Sequence, residues 1–339
     1  MPHRRLALIG FGNVGQAFAR LLLRKKTTLE KNADLTFSIA GIFTRSHGAV
    51  CHEDGIDIAA ALERAASGQK IGTSDFDDAL AFLDECEADI LVENSSVNVV
   101  NGEPARTYML TALQKGMHVI TANKGPIVHA YEDLVETAKN NQRQIRFEST
   151  VMDGTPIFSL WRAALPAAEL HGFRGILNST TNLVLGLMEE GMPLRAAVQR
   201  AQDLGIAETD PSGDLEGWDA AIKVAALIRV LLKTPFTPQQ VAREGISRIS
   251  RDAVQQVRQE GRRIKLVCEM RRDGDRIHAQ VQPMDIGADD PLFQINGTST
   301  AVTFYTDVLG ALTIGAQDPT PDTTAFGLLA DLISLSNRV

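Results

Sequence analysis

One short stretch of the chain combines several acids with a lysine at the start of an apolar helical pattern. Between residues 207 and 228 these charged groups include Glu208, Asp210, Asp214, Asp219 and Lys223. Asp219 and Lys223 are four residues apart, so they share one face of a helix. The residues around Lys223 are almost all apolar, and such a helix is usually buried. Burial lowers the pKa of a lysine, so the pattern predicts an acid/base site; the alternative is an ordinary surface Asp–Lys pair.

A glycine-rich turn opens the chain. Residues 10–15 follow a short apolar strand and begin a helical pattern. Glycines allow a tight turn and a close approach of the backbone to a pyrophosphate, and the helix start supplies free N–H groups. The residues predicted to bind a dinucleotide here are Gly10, Phe11, Gly12, Asn13, Val14 and Gly15. The alternative is a glycine-rich turn kept for packing.

The end of the second predicted strand bears on the choice of dinucleotide. Sites that prefer NAD usually place an acidic residue there, for the ribose hydroxyls. This chain has Thr44, Arg45 and Ser46 instead. A guanidinium flanked by hydroxyls suits a 2′-phosphate, so NADP(H) is favoured over NAD(H). The alternative is a solvated loop arginine.

Strand and helix patterns alternate over the first 150 residues and change character afterwards. Predicted strands lie at residues 5–9, 35–43, 89–93, 118–121 and 144–148, with helices between them. This alternation is typical of a parallel sheet with crossover helices. Later come three helices near residues 181–190, 193–204 and 215–232, strands at 170–177 and 299–306, and a hairpin around residues 272–275.

These patterns predict an α/β chain: a Rossmann-type nucleotide-binding domain with a second α+β domain for substrate binding and dimerisation. The expected boundaries are residues 1–155 and 156–311, with a C-terminal helical segment, 312–339, returning to the first domain. Its clearest helical part is residues 323–335.

Composition narrows the classes of function. The 339 residues carry a formal net charge of −8, which argues against nucleic acid or an anionic membrane as the main partner. The N-terminus resembles neither a signal peptide nor a membrane span, and the three cysteines are far apart, which fits a reducing cytoplasm. Cys51, Cys86 and Cys268 are interpreted as structural rather than as aldehyde-dehydrogenase nucleophiles. A zinc site at His47, Cys51 and His52 lacks an evident fourth ligand.

Several motifs, read in order, resemble the homoserine dehydrogenase family over nearly the whole chain. They are the opening glycine motif, VENSSVN at 92–98, HVITANKGP at 118–126, FESTVMDGTP at 147–156, GILNSTTN at 175–182 and the D-x4-D-x3-K pattern ending at Lys223. The resemblance implies the reversible, NAD(P)-dependent conversion of L-homoserine to L-aspartate 4-semialdehyde, in threonine and methionine biosynthesis. It also implies a short form without the C-terminal regulatory domain that many members carry.

The resemblance assigns roles residue by residue. Lys223 matches the lysine that exchanges the proton on the substrate's C4 oxygen, and Lys124 matches a second lysine at the substrate. Asp219 matches a residue that holds the substrate hydroxyl or its water. The residues matching substrate-binding groups are Glu208, Asp214 and Thr180, the two acids receiving the α-ammonium. We expect both lysines to approach the nicotinamide; the alternatives are a solvated helix-start lysine at 124, and helix-entry acids with Asp214 as an N-cap.

The remaining implied sites concern the cofactor, a cation and the assembly. Further nucleotide-binding residues are Ser95, Ser96, Thr121 and Asn123. The residues matching a loop that holds a monovalent cation such as Na⁺ are Glu148, Val151, Asp153 and Thr155. A small amino-acid substrate and a homodimer through the second domain are also implied.

Four departures from the family pattern leave an alternative open. Ile206 replaces a tyrosine, Met152 and Asp153 interrupt a loop normally rich in small residues, and Ser179 replaces a glycine. A late glycine-rich element is reduced to residues 309–312. The alternative is a related oxidoreductase for another small hydroxy or carbonyl acid; a silent NADPH-binding sensor is disfavoured because both lysines persist.

Overall fold

The computed structural model describes residues 1–74 and 76–336, which divide into two compact units. The first unit contains residues 1–158 and the segment from Thr320 onward, and the second contains residues 159–319.

The elements follow in chain order. Those up to residue 163 are β1 (His3–Ile9), α1 (Asn13–Asn32), β2 (Thr36–Phe43), β3 (Ala49–Cys51), α2 (Ile58–Ala66), α3 (Ala79–Glu85), β4 (Ile90–Glu93), α4 (Ala105–Gln114), β5 (His118–Thr121), α5 (Lys124–Asn140), β6 (Ile145–Arg146) and α6 (Phe158–Ala163). The later ones are β7 (Leu170–Ile176), α7 (Ser179–Glu189), α8 (Leu194–Asp203), α9 (Ser212–Leu215), α10 (Trp218–Leu231), β8 (Ala242–Arg243), α11 (Arg251–Gln259), β9 (Arg263–Asp273), β10 (Arg276–Ile286), β11 (Thr300–Thr306), β12 (Gly310–Ala316) and α12 (Pro321–Ser336). Short 3-10 turns lie at Glu148–Thr150, Pro238–Gln240 and Pro291–Gln294.

The sheet of the first unit has the strand order β3-β2-β1-β4-β5-β6. Its strands pair in parallel except β3, which is antiparallel to β2. The order of the strands reverses between β1 and β4, which lie side by side at the centre of the sheet. Ligands of such sheets bind outside the carboxyl ends of the strands at this switch point. The expected Rossmann-type architecture is confirmed.

The C-terminal helix belongs to the core of the first unit. Buried residues of α12, among them Leu328 and Leu332, join the same apolar cluster as Phe18 and Leu22 of α1. The C-terminal segment was expected to return to the first unit from residue 312, and this predicted start is too early. Residues 310–316 form β12 in the sheet of the second unit, and the helix begins only at Pro321. The late glycine element, residues 309–312, therefore begins a strand.

The second unit contains a sheet of order β12-β11-β7-β9-β10-β8. Strands β9 and β10 are antiparallel and pair from Asp273–Arg276 to Arg263–Ile286, so the predicted hairpin is confirmed with Gly274 and Asp275 in the turn. Helices α7, α10 and α11 pack on this sheet. The unit is thus of the expected α+β kind.

The structure corrects two local details. The helix expected over residues 215–232 starts later, because α10 begins at Trp218, Leu215 ends the separate helix α9, and Gly217 takes a left-handed conformation (φ +77°) between them. Residues 49–51, which the sequence patterns assigned to no strand, form β3. Within the described parts of the chain, none of the helices has the length and apolarity needed to cross a membrane.

Candidate functional site

The glycine turn after β1 is shaped for close backbone approach. Gly10 has φ +93°, and a Cβ there would lie 2.8 Å from the Ser95 backbone nitrogen. A Cβ on Gly15 would lie 2.6 Å from the Gly10 oxygen. A Cβ on Gly12 would meet nothing within 4 Å, although Gly12 is the N-cap of α1 and no side chain caps that helix. The open space over uncapped helix N–H groups fits a bound diphosphate. Phe11 is buried, Asn13 is exposed and Val14 is half-buried beside them.

The loop after β2 presents an exposed arginine. Arg45 is exposed, while its neighbours are held within the loop. Thr44 Oγ1 donates to the Gly48 carbonyl (3.0 Å) and accepts from the His47 N–H (2.8 Å). Ser46 Oγ lies 2.7 Å from His47 Nδ1. The ordered turn therefore carries a guanidinium that is accessible to an anion.

The carboxyl ends of β4 and β5 are joined by a buried polar network. Glu93, the last residue of β4, is completely buried. Its Oε1 accepts from the N–H of Ser95 (2.8 Å) and from the Ser95 hydroxyl, and its Oε2 accepts from Thr121 Oγ1 (2.9 Å). Burial raises the pKa of Glu93, and hydrogen bonds from Ser95, Thr121 and Asn123 act against that rise.

Sequence reasoning included Glu93 in a motif but assigned it no role. The feature of the sequence that could have identified Glu93 is a carboxylate at the end of an otherwise apolar strand. Ser95, Thr121 and Asn123, all predicted to contact the cofactor, are brought together around it, whereas Ser96 is exposed in the same loop.

Lys124 is the first residue of α5 and is half-buried. Asn123 is the N-cap, and its side chain accepts from the Gly125 N–H at 3.1 Å. A cation at a helix N-terminus opposes the helix dipole, so this position is unfavourable unless an anionic group lies nearby.

The acid–lysine cluster is assembled in the second unit. Lys223 Nζ lies 3.0 Å from Asp219 Oδ2 and donates to the Leu177 carbonyl at 2.7 Å. The side chains of Lys223 and Asp219 are only 17% and 14% exposed, so the interpretation as an ordinary surface pair is wrong. Leu177 lies between β7 and α7, and this carbonyl therefore ties the lysine of α10 to the end of β7.

Asn178 connects the two carboxylates of the cluster. Its Nδ2 donates to Asp214 Oδ1 (2.6 Å) and to Asp219 Oδ2 (2.9 Å). Its Oδ1 accepts from the Thr181 N–H (2.8 Å) as the N-cap of α7. Asn178 was in a recognised motif without a role of its own, because nothing in the sequence shows that one amide spans both acids.

Asp214 and Thr180 complete the cluster. Burial raises the pKa of Asp214, and the neighbouring carboxylate of Asp219 raises it further; Asn178, Lys223 and Thr180 act in the opposite direction. Thr180 is buried and its Oγ1 lies 3.4 Å from the Ile206 carbonyl. Asp214 is not an N-cap of the following helix, as one alternative had it, because Gly217 occupies that position. A partly desolvated carboxylate pair of this kind can receive a cation.

Glu208 is set apart from this cluster. Its side chain is exposed, and the loop that carries it is held by Gln202, which donates to the carbonyl oxygens of Glu208 (2.9 Å) and Thr209 (3.1 Å). The structure therefore groups Asp214, Asp219 and Lys223 but leaves Glu208 at the surface.

The loop expected to hold a cation lies in the first unit. Glu148 is buried and its Oε1 accepts from the Phe158 N–H at 2.7 Å, while the Thr155 carbonyl accepts from Ile157 at 2.8 Å. Asp153 has φ +50°, and its Oδ1 accepts from Thr324 Oγ1 at 2.9 Å. Val151 is buried in the same turn. These oxygens are hard donors of the kind that Na⁺ takes, although two of them already accept N–H groups.

Metal and cysteine alternatives find no support. In residues 1–74 and 76–336, no group of three or more His, Cys, Asp or Glu residues is placed to hold a metal ion, and His47, Cys51 and His52 do not form such a group. Cys86 and Cys268 are buried, and burial raises the pKa of both thiols, Cys268 to about 12. Such thiols are poor nucleophiles.

Both units match one family in sequence. The model of the homoserine dehydrogenase family matches residues 156–333, and that of the homoserine dehydrogenase NAD-binding domain matches residues 10–148. The chain is 37% identical to the NAD(+)-dependent homoserine dehydrogenase of Pseudomonas canavaninivorans, covering 99% of this chain and 97% of that protein. It is 36% identical to homoserine dehydrogenase of Methanocaldococcus jannaschii, with 98% of each covered.

Solved structures agree with the sequence relatives. A putative homoserine dehydrogenase from Archaeoglobus fulgidus superposes with a TM-score of 0.88 at 30% identity, covering 98% of this chain and 99% of that one. A hyperthermophilic archaeal homoserine dehydrogenase in complex with NADPH has a TM-score of 0.83 at 28% identity, covering 99% and 98%. The chain therefore belongs to the homoserine dehydrogenase family of NAD(P)-dependent oxidoreductases.

Proposed function

We propose that Lys223 exchanges the proton on the C4 oxygen when this enzyme interconverts L-homoserine and L-aspartate 4-semialdehyde. The observation that carries the proposal is the largely shielded contact of Lys223 with Asp219, joined through Asn178 to Asp214. In the oxidation direction the C4–H bond breaks as a hydride leaves, and the O–H proton passes to a neutral amine. A bound nicotinamide supplies the hydride acceptor, and the residues of this chain supply the proton acceptor and the substrate contacts.

Lys223 is held in one orientation before substrate arrives. The Leu177 carbonyl and the Asp219 carboxylate lie 2.7 and 3.0 Å from Nζ and accept its N–H groups, which fixes Nζ at the end of a long, otherwise flexible side chain. Fixed geometry is what a general acid/base needs, because the proton must travel over hydrogen-bond distance.

Asp214 and Glu208 are proposed to bind the α-ammonium group of the substrate. Asp214 is the candidate partner for the α-ammonium, because its carboxylate is desolvated and lies beside a second carboxylate. A cationic group bound there would relieve the repulsion between Asp214 and Asp219. Thr180 contributes a hydroxyl close to Asp214, and Glu208 is proposed as a second, surface-exposed partner.

Lys124 is proposed as a second lysine at the substrate. Lys124 is half-buried at the first position of α5, and an anionic substrate group there would be favoured by both the ammonium group and the helix N-terminus. The joint role of Lys124 and Lys223 remains a prediction.

NADP(H) is proposed as the preferred cofactor. The support is Arg45, an exposed guanidinium after β2, where no acidic side chain follows the strand to favour ribose hydroxyls. Relatives of both kinds exist, since one is named NAD(+)-dependent and another was solved with NADPH. A monovalent cation at Glu148, Val151, Asp153 and Thr155 and a homodimer through the second unit are further proposals.

A substrate panel tests the proposed function. L-homoserine is oxidised with NADP⁺ or NAD⁺, and nicotinamide absorbance is followed beside L-serine, L-threonine and 4-hydroxybutyrate. Homoserine should give the highest kcat/KM. Higher kcat/KM with 4-hydroxybutyrate, which lacks the ammonium group, would favour the second candidate, an oxidoreductase for another small hydroxy acid; Ile206, Met152, Asp153 and Ser179 are the observations behind that candidate.

A further inference from the structure

Glu93 is a fully buried carboxylate that accepts hydrogen bonds from the loop after β4 and from the last residue of β5. It ends β4, and its two oxygens accept from Ser95, in the loop after β4, and from Thr121, the last residue of β5. A buried carboxylate without a paired cation is costly, and packing alone would be served as well by an apolar or amide side chain.

The network continues from Thr121 to the start of α5. Thr121 Oγ1 also accepts from the Asn123 N–H at 2.8 Å, and Asn123 Oδ1 accepts from the Gly125 N–H at 3.1 Å. Asn123 Nδ2 donates back to the Ser95 carbonyl at 3.4 Å. One carboxylate thus links two of the loops that carry proposed nucleotide contacts, those after β4 and β5, and through them the start of the helix that begins with Lys124.

The position of this network indicates which part of the cofactor it faces. A Cβ on Gly10 would lie 2.8 Å from the Ser95 nitrogen, so the loop after β4 lies directly against the phosphate-binding turn. The loop after β2 lies on the other side of β1 and receives the adenosine ribose in such folds. An extended dinucleotide bound across the switch point therefore directs its nicotinamide half toward β4 and β5.

We propose that Glu93 is a positioning residue for the nicotinamide end of the cofactor, and that its carboxylate favours the cationic, oxidised nicotinamide over the neutral, reduced one. The carboxylate acts through Ser95 and Thr121, which donate hydrogen bonds to it, and through Asn123, which is bonded to both of them. Burial disfavours the charged form of Glu93, and the hydrogen bonds from Ser95, Thr121 and Asn123 favour it. A charge on this side chain acts strongly on its surroundings because the side chain is shielded from bulk solvent. The inference rests on dinucleotide binding by the first unit and not on the identity of the substrate.

Binding measurements without substrate test the proposal. Dissociation constants for NADP⁺, NADPH and 2′-phospho-ADP-ribose, which lacks the nicotinamide, are measured for the wild type, Glu93→Gln and Glu93→Asp. Glutamine keeps the shape and removes the charge. We expect Glu93→Gln to weaken NADP⁺ binding about tenfold relative to NADPH, because the attraction between the carboxylate and the cationic ring is lost. Binding of the fragment should be unchanged.

The aspartate variant distinguishes the effect of the charge of Glu93 from the effect of its side-chain length. Glu93→Asp keeps the charge but shortens the side chain, so NADP⁺ and NADPH should weaken by one common factor, again without loss of fragment binding. Equal weakening of all three ligands by either variant would overturn the proposal in favour of a purely structural role, and so would unchanged affinities in Glu93→Gln. If Glu93→Gln does not fold, the aspartate result decides. Because no turnover is measured, failure here is distinct from failure of the homoserine assay.

Discussion

The ammonium group of Lys223 lies 3.0 Å from Oδ2 of Asp219, one helical turn earlier on α10, and both side chains are largely shielded from solvent. The pair is extended by Asn178, which contacts the same Oδ2 atom at 2.9 Å and Asp214 Oδ1 at 2.6 Å. Lysine, amide and both acids thus form one continuous cluster.

Replacement of Lys223 should greatly reduce the rate of homoserine oxidation. Lys223→Ala is expected to lower kcat for homoserine oxidation by about 10²- to 10⁴-fold, the usual contribution of a general acid or base, with the Kd for NADPH nearly unchanged. Lys223→Arg should also be poor, because guanidinium does not release its proton at neutral pH. Steady-state kinetics and NADPH fluorescence titration check this, with Lys25→Ala, an exposed lysine of α1, as the matched charge control. Retention of more than a tenth of kcat in Lys223→Ala would remove it from the mechanism.

Asn178 should be needed for turnover as well as for the helix cap. Asn178→Ser keeps an acceptor for the Thr181 N–H but cannot span the two acids, whereas Asn178→Ala loses both functions. Both variants should lower kcat about tenfold to a hundredfold, since hydrogen bonds to charged groups contribute roughly 1.5–3 kcal/mol. Only Asn178→Ala should lose a further ~1 kcal/mol of unfolding free energy. Denaturant unfolding and kinetics separate the two effects; wild-type kcat in the serine variant would contradict the bridging role.

Asp214 is expected to lower the stability of the folded protein at neutral pH. The pKa of Asp214 is raised in the folded state. At a pH between the ordinary pKa of an aspartate and this raised pKa, the native protein binds more protons than the unfolded chain. Stability from this group is complete below the ordinary pKa and falls as the pH rises through that window. Asp214→Asn should therefore raise Tm at pH 7 relative to wild type, with a smaller gain near pH 4.

The same variant should impair recognition of the ammonium group. Asp214→Asn is expected to raise KM for homoserine about tenfold or more, because a charge-assisted contact is lost. The control is 4-hydroxybutyrate, whose KM should change little. An unchanged homoserine KM would show that the ammonium group binds elsewhere.

Two glycines of the first turn should respond differently to the same substitution. Gly12→Ala meets no protein atom within 4 Å, so Tm should be unchanged while NADPH binding weakens about fivefold to a hundredfold through steric overlap with the cofactor. Gly10→Ala meets the backbone of residues 94 and 95 at φ +93°, so it should lose about 2 kcal/mol or more of unfolding free energy. Thermal unfolding and NADPH titration test both. Full affinity in Gly12→Ala would place the diphosphate elsewhere.

Arg45 should determine the cofactor preference. Arg45→Ala is expected to lower kcat/KM with NADPH about tenfold to a hundredfold by removing a charge-assisted phosphate contact, and to leave kcat/KM with NADH within twofold. Arg24→Ala, another exposed arginine of the first unit, is the control, with the loss of its ion pair to Asp322 monitored by Tm. A wild type that already prefers NADH would refute the role of Arg45.

The sequence by itself determined features that depend on local order along the chain. The glycine turn before α1, the alternation of strands and helices, and the i, i+4 spacing of Asp219 and Lys223 follow from dihedral preferences and the periods of helix and strand. The family could also be recognised, since its motifs are contiguous. Residue identities near Lys223 even indicated its burial.

Only the tertiary structure decided which groups meet from distant segments. Nothing local shows that the amide of Asn178 reaches Asp214 and Asp219, that Leu177 accepts from Lys223, or that Glu93 joins the ends of β4 and β5. The break between α9 and α10 was also not visible locally: Gly217 takes a left-handed conformation (φ +77°), and a Cβ built on it would lie 3.4 Å from side-chain atoms of Arg243 and Val281. The physical reason is that hydrogen bonds and desolvation act through distances in space, and sequence spacing encodes those distances only within a single element.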